Sequence, residues 1–67
     1  MGTERQRITP AYIVTDNRGR YLAQDLRVQS QEMYVWVANM RLAHVFPDRK
    51  QAREAAWSYG GYVVALQ

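Results

Sequence analysis

Apolar and polar residues alternate along the first third of the chain in the manner of short β-strands. Residues 12–15 and 21–23 are aromatic, β-branched or aliphatic, and they flank the polar cluster Asp16-Asn17-Arg18-Gly19. Asn and Gly accept the positive φ angles that a tight hairpin loop needs. This pattern predicts a β-hairpin.

The strongest strand signal covers residues 33–37, which are aromatic, β-branched or otherwise apolar and contain no breaker. Because almost every position is apolar, we expect this third strand to lie in the centre of a sheet or to have both faces covered. The pattern before it is less regular, since Leu26 and Val28 alternate with charged and polar residues. We expect the second strand to bend into a loop near residues 29–31.

A single helix is indicated between Pro47 and Gly60. Proline disfavours helical backbone at the residue before it, Asp48 is a favourable N-cap, and Gln51 follows three residues later as in a capping box. The helix should therefore start at Asp48, with Gly60 as the glycine after its last turn. Its small-residue face recurs at helical spacing and comprises Ala52, Ala55, Ala56 and Tyr59. The residues expected to face solvent are Arg49, Lys50, Arg53 and Glu54.

A last apolar run at residues 62–66 predicts a fourth strand. The predicted fold class is therefore α+β, a small antiparallel sheet in the chain order βββαβ with one helix packed on one face. No repeat or interdomain linker interrupts the pattern, so we expect residues 1–67 to form a single domain. Residues 1–9 are largely polar, and we expect them to be a frayed N-terminus.

Composition removes several kinds of site. The chain has no cysteine and one histidine, so we expect no disulfide, no metal site and no cofactor. That histidine, His44, lacks an evident catalytic partner, because the nearest acid, Asp48, is explained as a helix cap. We expect no enzymatic activity. A domain of 67 residues buries only about 60% of the surface of its unfolded chain, so a shared core in a homodimer is one way to add stability.

The same composition bears on location. No apolar run approaches the roughly 18 residues of a membrane span, and the charged N-terminus is not followed by an apolar segment. The absence of cysteine is consistent with a reducing compartment. We expect a cytoplasmic protein that has no membrane partner.

Nucleic-acid binding is one function that the charges suggest. The net charge is +3, and eight of the nine basic residues are arginine, a side chain that suits phosphates, carboxylates and aromatic faces. An exposed sheet face could combine phosphate contacts with base stacking. The residues for such a face are Arg18, Arg20, Arg27, Tyr34 and Trp36. Strand aromatics in so small a chain also suit a core or a dimer interface.

Part of the chain resembles three-stranded DNA-binding modules. Three predicted strands precede a helix, and residues 42–46 (Leu-Ala-His-Val-Phe) and 52–56 (Ala-Arg-Glu-Ala-Ala) surround its start. This arrangement is similar to the plant ethylene-response DNA-binding domain and to the arm-binding domain of tyrosine integrases. The resemblance implies that the sheet lies in the major groove of DNA and that the five residues named above contact the bases. The predicted fourth strand is not part of that module.

A second resemblance covers more of the chain. The spacing W-x6-A-x2-F-x5-A-x3-A is formed by Trp36, Ala43, Phe46, Ala52 and Ala56. It is accompanied by Tyr21-Leu22 after the turn of the hairpin and by a closing valine-rich strand. It resembles that of short proteins encoded by bacteriophages and mobile elements. The resemblance implies a non-enzymatic protein that binds a host protein stoichiometrically and inhibits or modulates it, as anti-CRISPR proteins do. A homodimeric structural subunit is a further alternative.

For protein binding, the helix and the last strand offer the residue types that dominate interface hot spots. Aromatic and arginine side chains contribute most in such sites. The candidate protein-binding residues are Arg49, Arg53, Trp57, Tyr59 and Tyr62. The structural alternative is that Trp57 covers the sheet edge and that Tyr59 closes the helix end.

Overall fold

The computed structural model describes residues 10–27 and 33–66. The predictions for residues 1–9 and for the bend at residues 29–31, like the place of Val28, lie outside these residues. The described elements follow the predicted order of three strands, a helix and a strand. They are β1 (Tyr12–Thr15), β2 (Tyr21–Gln24), β3 (Tyr34–Val37), a 3-10 turn (Met40–Leu42), α1 (Arg49–Tyr59) and β4 (Tyr62–Ala65).

The strands form one antiparallel sheet in the order β3-β2-β1-β4, and α1 packs on one face of it, chiefly over β1 and β4. This confirms the predicted α+β class. The expected central position of β3 is wrong, because β3 lies at one end of the described sheet. Its four residues are all half-buried, and Tyr34 and Trp36 pack against the core. The apolar sequence of a strand thus indicates that its faces are covered, but it does not indicate the position of the strand in the sheet.

The predicted hairpin between β1 and β2 is confirmed, with Thr15 opposite Tyr21. The carboxylate of Asp16 organises its loop. One oxygen of Asp16 accepts hydrogen bonds from the main-chain N–H groups of Arg18 at 3.0 Å and of Arg20 at 2.8 Å. Gly19 has a φ of 77°, the left-handed conformation for which the sequence provides glycine. The loop is therefore closed by its own polar residues.

Beyond the hairpin, a later segment bonds to both β1 and β2. Phe46 pairs with Tyr12 of β1 through two main-chain hydrogen bonds of 3.0 and 2.8 Å. Two residues earlier, the His44 N–H donates to the carbonyl of Leu22 in β2 at 2.9 Å. This segment carries the Phe46 side chain into the core, where it is 2% exposed. Phe46 thereby joins the buried cluster beneath α1.

The helix begins and ends as its sequence predicts. Asp48 is the N-cap, and its carboxylate accepts a hydrogen bond from the N–H of Lys50 at 3.0 Å. The predicted capping box would use the N–H of Gln51 instead, so the cap is confirmed with a different partner. Gly60 ends the helix with a φ of 86° and donates to the carbonyl of Ala56 at 2.8 Å. Gly61 donates to the same carbonyl at 2.9 Å. Both predicted boundaries are therefore confirmed.

The core lies between α1 and the sheet and is built from small and medium side chains. The buried helix residues are Ala52, Ala55 and Ala56, as the sequence predicts, and they let the helix backbone approach the sheet closely. They meet the buried side chains of Val14, Leu22 and Phe46. Half-buried residues surround this cluster: Tyr12, Tyr34, Trp36, Tyr59 and Val63. In the described residues, no helix has the length and apolar character needed to cross a lipid bilayer.

Candidate protein-binding surface

One stripe of α1 points away from the sheet. Arg49, Arg53 and Trp57 are four residues apart, so their side chains follow one another along the same side of the helix. All of them are exposed, and Trp57 has 89% of its surface open to solvent. A tryptophan at that exposure does not cover the sheet edge. The structural alternative for Trp57, covering the sheet edge, is therefore wrong.

This stripe borders a groove between α1 and β4. The groove is lined by Arg49, Arg53 and Trp57 from the helix and by Gly61, Tyr62 and Val63 from the chain that follows. Tyr62 is 53% exposed. Four of the five residues that the sequence suggested for protein binding therefore border one groove, and alternation along β4 points the Tyr62 ring, like Val64, toward the face of the sheet that α1 does not cover. We call the surface formed by Arg49, Arg53, Trp57 and Tyr62 the α1–β4 surface.

The fifth residue, Tyr59, lies on another side of the helix. Its hydroxyl oxygen accepts a hydrogen bond from the main-chain N–H of Tyr34 at 3.1 Å. The two rings meet edge to face with 5.8 Å between their centroids. Tyr59 is half-buried and fastens the end of α1 to β3. It serves the fold and does not belong to the α1–β4 surface.

Positive charge surrounds the exposed tryptophan. Arg49, Lys50 and Arg53 are all exposed on α1, where Glu54 is the acidic neighbour. Within residues 10–27 and 33–66, the ion pairs are Arg20 with Asp16 and Arg27 with Asp25. The helix cations are therefore available to an external carboxylate or phosphate.

The residues suggested for nucleic-acid binding do not form one surface. Arg18 is exposed at the hairpin tip, whereas Arg20 bonds to Asp16 at 2.8 Å and lies over the ring of Trp36 at 5.6 Å. Tyr34 and Trp36 pack against the core on the side of the sheet that the helix covers. The rings are thus not displayed on an open sheet face for base stacking.

The last of these arginines, Arg27, is held locally by Asp25. Its guanidinium donates to both carboxylate oxygens, at 2.9 and 3.0 Å. The side-chain hydrogen bond from Arg27 lowers the pKa of the Asp25 carboxyl, and the same bond raises the pKa of the Arg27 guanidinium. Both groups thus stay charged and neutralise each other, which leaves little net positive charge for a phosphate.

The single histidine lies in a second cleft, which is lined by residues of α1, by Tyr34 of β3 and by Phe46. The His44 ring contacts Phe46 edge to face with 4.6 Å between centroids and lies 5.4 Å from the ring of Tyr34. Burial lowers the pKa of the His44 imidazole below its usual value of 6.5. The Asp48 carboxylate caps the helix, as the sequence suggested. These contacts give His44 a packing role, and the absence of catalysis stays a prediction.

Metal binding depends on clustered ligands. In the part of the chain that the structure describes, no group of three or more His, Cys, Asp or Glu side chains is placed to hold a metal ion. The expectation of no cofactor likewise stays a prediction.

Comparisons of this chain with protein-family models, curated proteins and solved structures found no match. The resemblances to phage proteins and to DNA-binding modules therefore stay predictions. What the geometry adds to the sequence is the outer edge of β4, which lies beside the helix stripe and has no neighbouring strand among residues 10–27 and 33–66. Sequence reasoning missed this edge, because hydrophobic periodicity does not report which strand ends a sheet.

Proposed function

We propose that this protein is a non-enzymatic binding module that attaches stoichiometrically to a host protein through the α1–β4 surface and inhibits or modulates it. The observation that carries the proposal is the 89% exposure of Trp57 beside Arg49 and Arg53. Tryptophan and arginine are the residues most enriched in interface hot spots. A surface that joins them with Tyr62 has the composition of a binding site.

The energetic argument starts from the area of the exposed ring. An aromatic side chain buries about 200 Å² when it enters a partner's pocket, which corresponds to about 5 kcal/mol at 25 cal/mol per Å². Association and side-chain ordering oppose much of that gain. Arg49 and Arg53 can add charge-assisted hydrogen bonds to carboxylates around the pocket. The partner is therefore expected to offer an apolar pocket with an acidic rim.

The spacing of the core residues supports a bacterial host protein as the target. That spacing resembles the spacing in short phage- and mobile-element-encoded proteins, some of which inhibit host systems as anti-CRISPR proteins do. Such a target would meet this protein in the host cytoplasm. The α1–β4 surface supplies the contact that an inhibitor of this kind needs without any catalytic group.

The test is affinity capture from a bacterial lysate with the tagged protein and two variants. Trp57→Ala removes the exposed ring, and Leu26→Ala is the matched control because Leu26 is 87% exposed in the turn after β2. We expect one stoichiometric partner to be retained by the wild type and by Leu26→Ala. Its recovery should fall by about tenfold or more with Trp57→Ala. A partner that binds both variants equally would contradict the proposed surface.

Duplex DNA is the control ligand, since Arg49, Lys50 and Arg53 would also attract phosphates. Fluorescence anisotropy at about 50 and 200 mM salt separates the two functions, because phosphate contacts weaken steeply as salt rises. We expect weak binding that disappears at the higher salt. Tight binding that depends on Arg18, Arg20 and Arg27 would instead favour the DNA-binding module.

A further inference from the structure

The outer edge of β4 has no neighbour among the described strands, because β4 ends the sheet order β3-β2-β1-β4. Val63 lies opposite Val14 and Ala65 opposite Tyr12 of β1. The N–H of Leu66 donates to the carbonyl of Ala11 at 2.8 Å. Because hydrogen-bonded and non-hydrogen-bonded pairs alternate in an antiparallel ladder, Val63–Val14 and Ala65–Tyr12 are non-hydrogen-bonded pairs. The main-chain N–H and C=O groups of Val63 and Ala65 therefore point outward, away from β1.

Nothing in the sequence of β4 guards this edge. Natural proteins protect edge strands with proline, lysine, inward charges or bulges, whereas residues 62–65 read Tyr-Val-Val-Ala. At the other end of the sheet, the N–H of Tyr34 in β3 is occupied by the hydroxyl of Tyr59. One outward N–H of β3 is thus already used, whereas no hydrogen bond within the described residues occupies the outward groups of Val63 and Ala65.

We propose that β4 accepts an added strand from the partner protein, and that this strand is an extended acidic segment. The inference rests on the proposed function and specifies the partner's contacting element. The segment's main chain would pair with Val63 and Ala65. Its helix-facing side chains would enter the groove that Arg49, Arg53 and Trp57 line. Strand addition takes its affinity from the main chain and its specificity from alternate side chains, so carboxylates on that side match the arginines.

Charge also argues against a second copy of this chain as the occupant. Two β4 strands paired around a two-fold axis would make one continuous sheet with both α1 helices on the same face. Arg49 and Arg53 of the two copies would then stand across the junction from each other, where like charges repel. An acidic segment meets the same edge with attraction. The groove thus selects a partner of opposite charge.

The experiment selects peptides from a random 12-residue display library on the wild-type protein and measures their affinity by fluorescence anisotropy. Ala65→Pro removes one outward N–H and leaves the pairing with β1 intact, and proline is tolerated at such an edge position. Ala65→Thr keeps the N–H and is the matched control. Arg53→Glu reverses the charge of the groove.

We expect the selected peptides to alternate Asp or Glu with β-branched or aromatic residues. Their affinity should fall by about tenfold with Ala65→Pro and with Arg53→Glu, but change by less than about twofold with Ala65→Thr. Amide exchange of the wild-type protein checks this without a variant. The N–H groups of Val63 and Ala65 should exchange more slowly when the peptide is bound.

Several results would overturn the inference. The selection could enrich no peptide, or only peptides without acidic residues. The amide exchange rates of Val63 and Ala65 could stay unchanged when the protein is saturated with peptide. Ala65→Pro could bind the peptide with the affinity of the wild type. A doubled mass in light scattering that Ala65→Pro returns to a monomer would assign the edge to a second copy instead. A lysate partner that requires Trp57 but tolerates Ala65→Pro would keep the proposed function and remove strand addition alone.

Discussion

Replacing Gly61 by alanine tests how closely the end of α1 approaches the sheet. An added Cβ would lie 2.5 Å from the main-chain oxygen of Thr15, 2.7 Å from Cη2 of Trp36 and 3.0 Å from Cγ1 of Val14. The oxygen belongs to β1, which lies inside the sheet and cannot withdraw as the end of a flexible side chain would. The substitution therefore forces the packed layers apart.

The magnitude follows from comparison with Gly60. Overfilling a packed core costs about 1–3 kcal/mol, and a clash with main chain puts Gly61→Ala near 3 kcal/mol. Gly60 has a φ of 86° and no atom within 4 Å of an added Cβ, so Gly60→Ala adds only backbone strain of about 1 kcal/mol. The total free energy of unfolding of a 67-residue domain is roughly 3–10 kcal/mol. Gly61→Ala should thus remove between roughly a third and all of that free energy.

Urea denaturation followed by the fluorescence of Trp36 measures both variants. A Trp57→Phe background removes the exposed emitter. With a urea slope of about 1 kcal/mol per M, the midpoint should fall by about 3 M for Gly61→Ala and about 1 M for Gly60→Ala. Equal midpoints, or a larger loss for Gly60→Ala, would refute the steric argument. The backbone conformation would then be the limiting factor at this corner.

Two further predictions concern polar contacts within the fold. Tyr59→Phe removes the acceptor for the Tyr34 N–H and should lower the free energy of unfolding by about 1 kcal/mol. The control Tyr62→Phe, at an exposed ring, should lower it by less than about 0.5 kcal/mol. Equal losses for the two variants in urea titration would contradict this. Burial acts to raise the pKa of Asp16, but the hydrogen bonds from Arg20 and Arg18 outweigh it, so the pKa lies below 3.8. The stability from Asp16 is therefore complete above pH 3.8 and is lost as the pH falls through the lowered pKa. Below pH 3.8, the melting temperature should fall less steeply with pH in Asp16→Asn than in the wild type. Parallel declines of the two melting temperatures would contradict this.

The elements that the sequence predicts well are those encoded by neighbouring residues. Turn chemistry places the hairpin, and the aspartate and glycine signals at positions 48 and 60 place both ends of α1. The lateral position of β3 is different, because hydrophobicity records only whether the faces of a strand are covered. The pairing of Phe46 with Tyr12 is also non-local and has no signal in the periodicity. Strand order is therefore the part that requires the folded chain.

The candidate surface divides in the same way. Helical spacing is sufficient to align Arg49, Arg53 and Trp57, whereas bringing Tyr62 beside them depends on how β4 returns along the helix. The helical angle of about 100° per residue also places Tyr59 roughly opposite to Trp57, so the sequence contained the signal that separates them. In the strands, alternation put Tyr34 and Trp36 on one face. It did not say that the helix would cover that face.

The use of the two tryptophans is the strongest link between fold and function. Trp36 packs at the rim of the core, under the guanidinium of Arg20 and against Gly61. The buried face of α1 is made of alanines, and among the described residues Leu22 and Val14 are the largest side chains that are fully buried. A domain this small gains stability from every aromatic ring it buries. Trp57 is nevertheless exposed to solvent one turn after Arg53, where it adds little to folding. On the function proposed above, that ring is the group that a partner protein would cover.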